Sequence, residues 1–173
     1  DPEAARALLA EAGYPDGFDT TIYYRDVFRG YLPEPGLVAT DLQAQLQENL
    51  GINAQIEVME SGAFIDASAN GQLNGIHLLG WGADYPHPMT FLDNFVTGSA
   101  NNLNNWSNAD FDAEIAAAKA ASDEATSRDH MRAAEAILMN DHAILPQYHR
   151  YNYMMMSPKV TGFWRSPLNV PYF

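Results

Sequence analysis

The first half of the chain alternates between strand and helix patterns, and this alternation restricts the folds that it can form. The clearest strand pattern spans residues 52–58, and its apolar positions are Ile52, Ala54, Ile56 and Val58. A helix pattern over 37–50 precedes it and ends at Gly51. Further strand patterns cover 19–25 and 76–81. A short helix is predicted between the strands 52–58 and 76–81. The resulting order of strand, helix, strand, helix, strand predicts a parallel sheet with right-handed crossovers, and therefore an α/β fold.

The second half has a predominantly helical pattern. The segment Ser107-Asn108-Ala109-Asp110 is typical of a helix start and predicts a helix that ends near Ser122. A second helix is predicted over 124–140, packed with the first as an antiparallel pair on the sheet. Residues 143–156 are rich in Ile, Leu, Tyr and Met and predict one or two further strands, whose start Pro146 confines to a sheet edge or bend.

Length, charge and cysteine content narrow the class of protein. A chain of 173 residues with 47% hydrophobic residues suffices for a single domain, 1–173, with a real core. The net charge of −13 argues against nucleic acid and anionic lipid as partners, because both require basic patches. The chain has no Cys, which excludes disulfides and thiolate metal sites. No apolar run could span a bilayer and no signal segment precedes Asp1, so we expect a mature or trimmed soluble chain.

The residue types of common catalytic and metal sites are present, but they lack the spacing that such sites need. None of the five His residues is paired at i, i+4 on a predicted helix, and no HExxH-type motif occurs. A Gly-x-Ser-x-Gly motif is also absent. Asp84 and Asp93 remain open as a carboxylate pair for glycoside hydrolysis, because their separation decides that mechanism and the sequence does not give it. We therefore expect binding without chemistry, and no catalytic residue, metal site or cofactor.

The segment 80–88 marks the place where the third predicted strand ends, because its two prolines cannot continue a sheet ladder. It carries a large aromatic residue, Trp81, a flexible backbone position, Gly82, and a carboxylate, Asp84. Ligands of open α/β sheets bind beyond the carboxyl ends of the strands, so this segment is a candidate ligand site. An aspartate before Tyr-Pro is also common turn chemistry, and Trp81 can equally fill a core, so a purely structural interpretation stays open.

Two stretches of the chain resemble the signature region of the family 5 extracytoplasmic solute-binding proteins, the peptide- and nickel-binding subunits of ABC importers. The stretch 80–93 reads GWGADYPHPMTFLD, and the stretch 104–108 reads NNWSN. Together with the ending VTGF at 160–163, they are most similar to the oligopeptide-binding branch. The resemblance covers nearly the whole chain. One departure is His87, which stands between the two prolines where an acidic residue is often found.

The resemblance implies an α/β fold of the periplasmic-binding-protein-like (type II) kind, with a mixed sheet and flanking helices. It also implies that the chain is most of the C-terminal ligand-binding lobe of a larger two-lobed protein, which holds an extended oligopeptide between its lobes. The family aspartate that pairs with the α-ammonium of the peptide corresponds to Asp84. The ligand-binding residues that the resemblance implies are Trp81, Gly82, Ala83, Asp84 and Tyr85.

The partners implied are a peptide ligand, the membrane permease of an ABC importer and the missing N-terminal lobe of the same protein. The implied location is periplasmic or extracytoplasmic, with a membrane anchor in the full-length protein as a further option. The alternatives are a stand-alone protein-interaction or sensor domain of the same fold, a carboxylate hydrolase, and binding of another solute such as an oligosaccharide or a nickel complex. A large exposed apolar patch favours a lobe over a stand-alone domain, because an evolved single domain covers such a surface with polar residues.

Overall fold

The structure is a computed structural model that describes residues 1–149, 151, 153–163 and 168. The chain divides into two compact units, Asp1–Gly80 and Trp81–Phe173. Each unit is described by itself below, and the single domain over 1–173 stays a prediction. Within the described part of the chain, no helix is long and apolar enough to cross a membrane.

The first unit is a small α/β layer whose helices and strands alternate along the chain. Its elements are α1 (Pro2–Glu11), β1 (Asp19–Arg25), α2 (Pro35–Leu50), β2 (Asn53–Met59), α3 (Ser61–Ala69) and β3 (Ile76–His77). The sheet order is β2-β1-β3, and both pairs of neighbouring strands are parallel. In this register, Ile22 of β1 lies opposite Ile56 on one side and Ile76 on the other. The predicted α/β class is confirmed, and β2 lies within one residue of the predicted strand.

Helices α2 and α3 cover opposite faces of this sheet. Ile22 and Ala54 are buried with Ala39 of α2 on one face, which forms the core of the unit. Successive strand residues point to opposite faces, so Tyr23 and its neighbour His77 lie on the other face. There the buried ring of Phe64 from α3 meets the His77 ring edge-on, with centroids 5.9 Å apart.

The third strand is much shorter than the sequence predicts. The sequence predicts a strand over 76–81, but β3 contains only Ile76 and His77. Leu78 still donates its N–H to the carbonyl of Tyr23 at 2.9 Å, and beyond it the backbone at Gly80 packs on the ring of Tyr31. The ring of Tyr31 covers one face of the backbone just beyond the last ladder hydrogen bond. Ile76 and Leu79 are also partly exposed, because no described strand pairs with the outer edge of β3.

The second unit is built around two long helices. Its elements are the short helix α4 (Met89–Leu92), a 3-10 turn (Asp93–Phe95), α5 (Ala109–Ala120) and α6 (Glu124–Asn140). The predicted start of α5 is confirmed, because Oδ1 of Asn108 accepts hydrogen bonds from the N–H groups of Asp110 and Phe111. The core of the unit consists of Met89, Leu92, Phe111, Ile115, Ala118, Met131, Ala134 and Leu138.

The strands predicted over 143–156 are not formed by the described residues of that segment, and positions 150 and 152 lie outside them. The described residues of the second unit contain no strand that could pair with the segment, and Leu145 and Met155 are largely exposed. A run of apolar residues makes a stable strand only where a neighbouring strand takes up its backbone hydrogen bonds. Among the described strands, the sheet is accordingly parallel rather than mixed.

Candidate functional site

The loop that follows Gly80 is held by its own backbone and by a histidine side chain. The N–H of His87 donates to the carbonyl of Tyr85 at 2.8 Å, and the N–H of Thr90 donates to the carbonyl of His87 at 3.2 Å. The N–H of Met89 donates to Nδ1 of His87, also at 3.2 Å. His87 thus supplies the acceptor that a carboxylate would supply at the start of a helix.

Asp84 is fixed through its backbone, while its side chain stays exposed. The N–H of Asp84 donates to Oγ1 of Thr90 at 3.2 Å, and Thr90 is only 4% exposed on the first turn of α4. Among the described residues, the carboxylate of Asp84 takes part in no hydrogen bond and no ion pair. A common aspartate turn would use this carboxylate to accept a nearby N–H, and the carboxylate of Asp84 does not form that bond. Its charge is available to a ligand.

The other predicted site residues surround Asp84 along an open loop. Trp81 is 40% exposed and Tyr85 is 43% exposed, so neither ring is a core filler. Tyr85 stacks on His87, with ring centroids 6.4 Å apart and planes 21° apart. Gly82 is exposed, and apart from its chain neighbours no residue lies within 4 Å of the position that a Cβ would take. Ala83 is half-buried. An exposed indole, an accessible backbone and an exposed carboxylate thus lie within five consecutive residues.

A second polar cluster, which sequence reasoning missed, lies at the carboxyl end of β1 in the first unit. The guanidinium of Arg25 donates to Oγ of Ser61 at 3.0 Å and to the hydroxyl of Tyr31 at 3.4 Å. It also lies over the Phe64 ring, 5.7 Å from the centroid. The signal in the sequence was an arginine as the last residue of a strand, at the edge where ligands of open sheets bind. In the structure, this arginine joins β1, α3 and the loop that carries Tyr31.

The lining of an open groove of about 580 Å³ in the second unit includes Tyr85 and His87. Its polar lining includes Asp93 and Lys119, whose Oδ1 and Nζ atoms are 2.6 Å apart. Asp93 is therefore engaged in an ion pair, whereas Asp84 is not. This difference weakens the hypothesis of a catalytic pair, because both carboxyl groups of a glycosidase must be directed at the substrate.

The Asn-Asn-Trp-Ser-Asn stretch has a structural role. Nε1 of Trp106 and Nδ2 of Asn108 both donate to Oδ2 of Asp141, at 3.3 and 2.8 Å. Nδ2 of Asn104 donates to the carbonyl of Ala143 at 2.8 Å. These bonds join the loop before α5 to the end of α6.

The histidines of the described helices and strands are engaged in pairs, not in metal clusters. Nδ1 of His77 lies 3.1 Å from Oγ of Ser68, and Nδ1 of His130 lies 2.7 Å from Oε2 of Glu114. The described residues contain no group of three or more His, Asp or Glu side chains that could hold a metal ion.

Comparison with known proteins identifies what this chain is similar to. Residues 1–103 match the model of the bacterial extracellular solute-binding proteins, family 5 Middle. The chain is 33% identical to the dipeptide-binding protein of Pseudomonas aeruginosa, over 98% of this chain and 32% of that protein. It is 29% identical to heme-binding protein A of Haemophilus influenzae, over 100% of this chain and 32% of that protein. The chain thus spans about a third of the length of these curated relatives.

The fold is also found in solved structures. The crystal structure of Haemophilus influenzae OppA in complex with RPPGFSPFR superimposes with a TM-score of 0.76 at 29% sequence identity. The match covers 84% of this chain and 28% of that structure. The periplasmic-binding-protein-like fold that the sequence predicted is thereby confirmed.

Proposed function

Because the chain belongs to the family 5 bacterial extracellular solute-binding proteins, we propose that it is most of the C-terminal lobe of the peptide-binding component of an ABC-type importer. In this proposal the complete protein holds an extended peptide between two lobes and delivers it to a membrane permease. It works in the periplasm or another extracytoplasmic space and catalyses no reaction. A membrane anchor in the full-length protein is compatible with this role.

The observation that carries the proposal is the exposed carboxylate of Asp84, which has no partner among the described residues. A peptide brings an α-ammonium to its binding site, and an opposite charge close to that group favours binding in a site that excludes water. Trp81 and Tyr85 offer ring faces beside this charge, and the open backbone at Gly82 offers hydrogen-bonding groups to an extended chain. The five residues from 81 to 85 are therefore our proposed ligand-binding set.

Exposed apolar side chains in the described part of 145–163 support a lobe rather than a stand-alone interaction domain. The large exposed side chains there are Leu145, Tyr148, Tyr151, Tyr153, Met154, Met155, Met156, Val160 and Phe163. Soluble single domains rarely leave so many large apolar groups uncovered along one segment. The relatives are three times as long, so a larger protein has the chain length to cover them. This surface is the contact that we assign to the remainder of the protein.

One relative is named a heme-binding protein, so haem is a second candidate ligand beside peptide. The two candidates place different demands on the site. A peptide needs a partner for its ammonium and backbone acceptors and donors, and we assign these roles to the loop 81–85. An oligosaccharide or a nickel complex remains a further alternative, and neither has an ammonium that would use Asp84.

The test is to purify the complete protein from its native cells and identify the material that it carries by mass spectrometry. The proposal predicts peptides with unmodified α-amino groups, recovered intact after incubation with the protein. Haem, a sugar or a metal chelate in place of peptides would contradict the peptide assignment. Peptide fragments that accumulate during incubation would instead indicate a hydrolase.

A further inference from the structure

We propose that Thr90 is a positioning residue for ligand binding: its buried hydroxyl fixes the backbone of Asp84 and so directs the carboxylate of Asp84 at the ligand. This inference rests on the proposed function, in which Asp84 is the partner of the ligand ammonium. It adds a residue that does not touch the ligand and lies outside the set 81–85.

The geometry around Thr90 ties it to the loop on one side and to the core on the other. Its Oγ1 accepts the N–H of Asp84 at 3.2 Å, across six positions of the chain. Its own N–H donates to the carbonyl of His87 at 3.2 Å, and its carbonyl accepts from Nδ2 of Asn94 at 3.3 Å. Thr90 and Asn94 are both buried, and the neighbouring Met89 belongs to the hydrophobic core. The hydroxyl is therefore held by a rigid part of the unit.

This arrangement leaves the carboxylate of Asp84 unused by the protein. In loops that present an aspartate, the carboxylate often accepts a hydrogen bond from a backbone N–H of the loop itself. Its charge is then screened from a ligand. Here the acceptor for the loop N–H comes from Thr90, so the loop is shaped without the carboxylate. The burial of Thr90 and its bond to the N–H of Asp84 hold Oγ1 in place. A carboxylate held in place before binding loses less freedom when the ammonium arrives.

A purely structural role for Thr90 makes a different prediction from a positioning role. If Thr90 only packs, its replacement changes the stability of the fold and affects all ligands alike. If it positions Asp84, the replacement weakens mainly those ligands that carry an α-ammonium. The affinity for a peptide with a blocked amino group then stays nearly constant.

The experiment compares a tripeptide with a free α-amino group and its N-acetylated form, by calorimetry on the complete protein. Thr90→Val keeps the shape of the side chain and removes the hydroxyl, whereas Thr90→Ser keeps the hydroxyl. Thr97→Val is the matched control, because Thr97 is exposed in the same unit and the same atom is replaced. Should Thr90→Val fail to fold, Thr90→Ala removes the same hydroxyl and gives the same comparison.

We expect Thr90→Val to weaken binding of the free peptide about three- to tenfold, the net value of one hydrogen bond, and to leave the acetylated peptide within about twofold. Thr90→Ser and Thr97→Val should retain the affinity of the parent protein. An equal loss for both peptides in Thr90→Val would overturn the positioning role. If the unaltered protein binds the two peptides equally well, Asp84 does not bind the ammonium, and the proposed function is contradicted. That result comes from the parent protein alone and is therefore distinct from a failure of the role assigned to Thr90.

Discussion

Gly80 packs directly on the ring of Tyr31, so that a Cβ at position 80 would lie 2.5 Å from Cδ2 of that ring. Real side chains do not approach an aromatic ring so closely. Gly82 lies only two residues later, and apart from its chain neighbours no residue comes within 4 Å of a Cβ built on it. Its backbone is not left-handed. The two glycines of the Gly-Trp-Gly stretch therefore exist for different reasons. The first is required by packing, and the second leaves the backbone open.

Gly80→Ala should destabilise the protein by about 1–3 kcal/mol, the usual cost of adding a methyl group to a filled site. Gly82→Ala, the matched control, should change the free energy of unfolding by less than about 1 kcal/mol, because the site is open and the backbone conformation suits alanine. Chemical denaturation of the two variants measures the difference. Equal losses of stability in the two variants would show that packing against the ring of Tyr31 does not require a glycine at position 80.

His87→Asp should be tolerated, because a carboxylate can accept the N–H of Met89 as Nδ1 of His87 does. His87→Leu removes the acceptor and should cost about 1 kcal/mol of stability. Thermal unfolding of both variants checks this order. A His87→Asp variant that is less stable than His87→Leu would mean that stacking on Tyr85, rather than the hydrogen bond, is the contribution of the imidazole.

Asp141→Ala should lower the free energy of unfolding by about 1–3 kcal/mol, because it removes the common acceptor of Trp106 and Asn108. Asp129→Ala is the control: this exposed aspartate lies on α6 and its only described partner is Arg132, at 3.7 Å. Its replacement should change stability by less than about 0.5 kcal/mol. Urea denaturation distinguishes the two variants, and a similar loss in both would contradict the role assigned to the Asn-Trp loop.

Asp123 caps α6, and hydrogen bonds from Thr126 hold the pKa of its carboxyl below the ordinary value of 3.8. Because the folded pKa is lowered, this stabilisation is fully present above the ordinary value and is lost as pH falls through the folded value. Asp123→Asn keeps the cap without the charge, so its stability should fall less steeply than that of the parent protein below about pH 4. Asp129→Asn serves as the control. Identical pH profiles for the parent and Asp123→Asn would refute this assignment.

The sequence predicts those parts of the fold that depend on local periodicity. The strict alternation over 52–58 placed β2 within one residue, and the cap at Asn108 was visible as a polar side chain before a helical pattern. The end of β3 was predicted wrongly, because an apolar run indicates a strand without showing what lies beside it. Only the structure shows that the pairing of β3 with β1 ends after Leu78 and that the ring of Tyr31 packs against Gly80.

The sequence predicted which residues form the candidate site, but not the hydrogen bonds that hold them in place. The prolines, the aspartate and the aromatic residues of 81–85 stand together in the sequence, so their proximity needed no fold. The contacts of Asp84 with Thr90 and of Arg25 with Ser61 join residues that a turn or a crossover helix separates. Such contacts depend on the path of the backbone, which residue spacing alone does not give.

The central claim is that the carboxylate of Asp84 binds the α-ammonium of a peptide. The most direct measurement is a thermodynamic cycle on the complete protein, with and without Asp84→Asn, against one peptide with a free and with an acetylated amino group at fixed salt. Breaking a buried ion pair costs about 3–5 kcal/mol, so each single change should weaken binding severely. Both changes remove the same interaction, so the combined loss should be far smaller than the sum of the two single losses. Additive losses, or an Asn variant that binds as well as the parent, would contradict the claim.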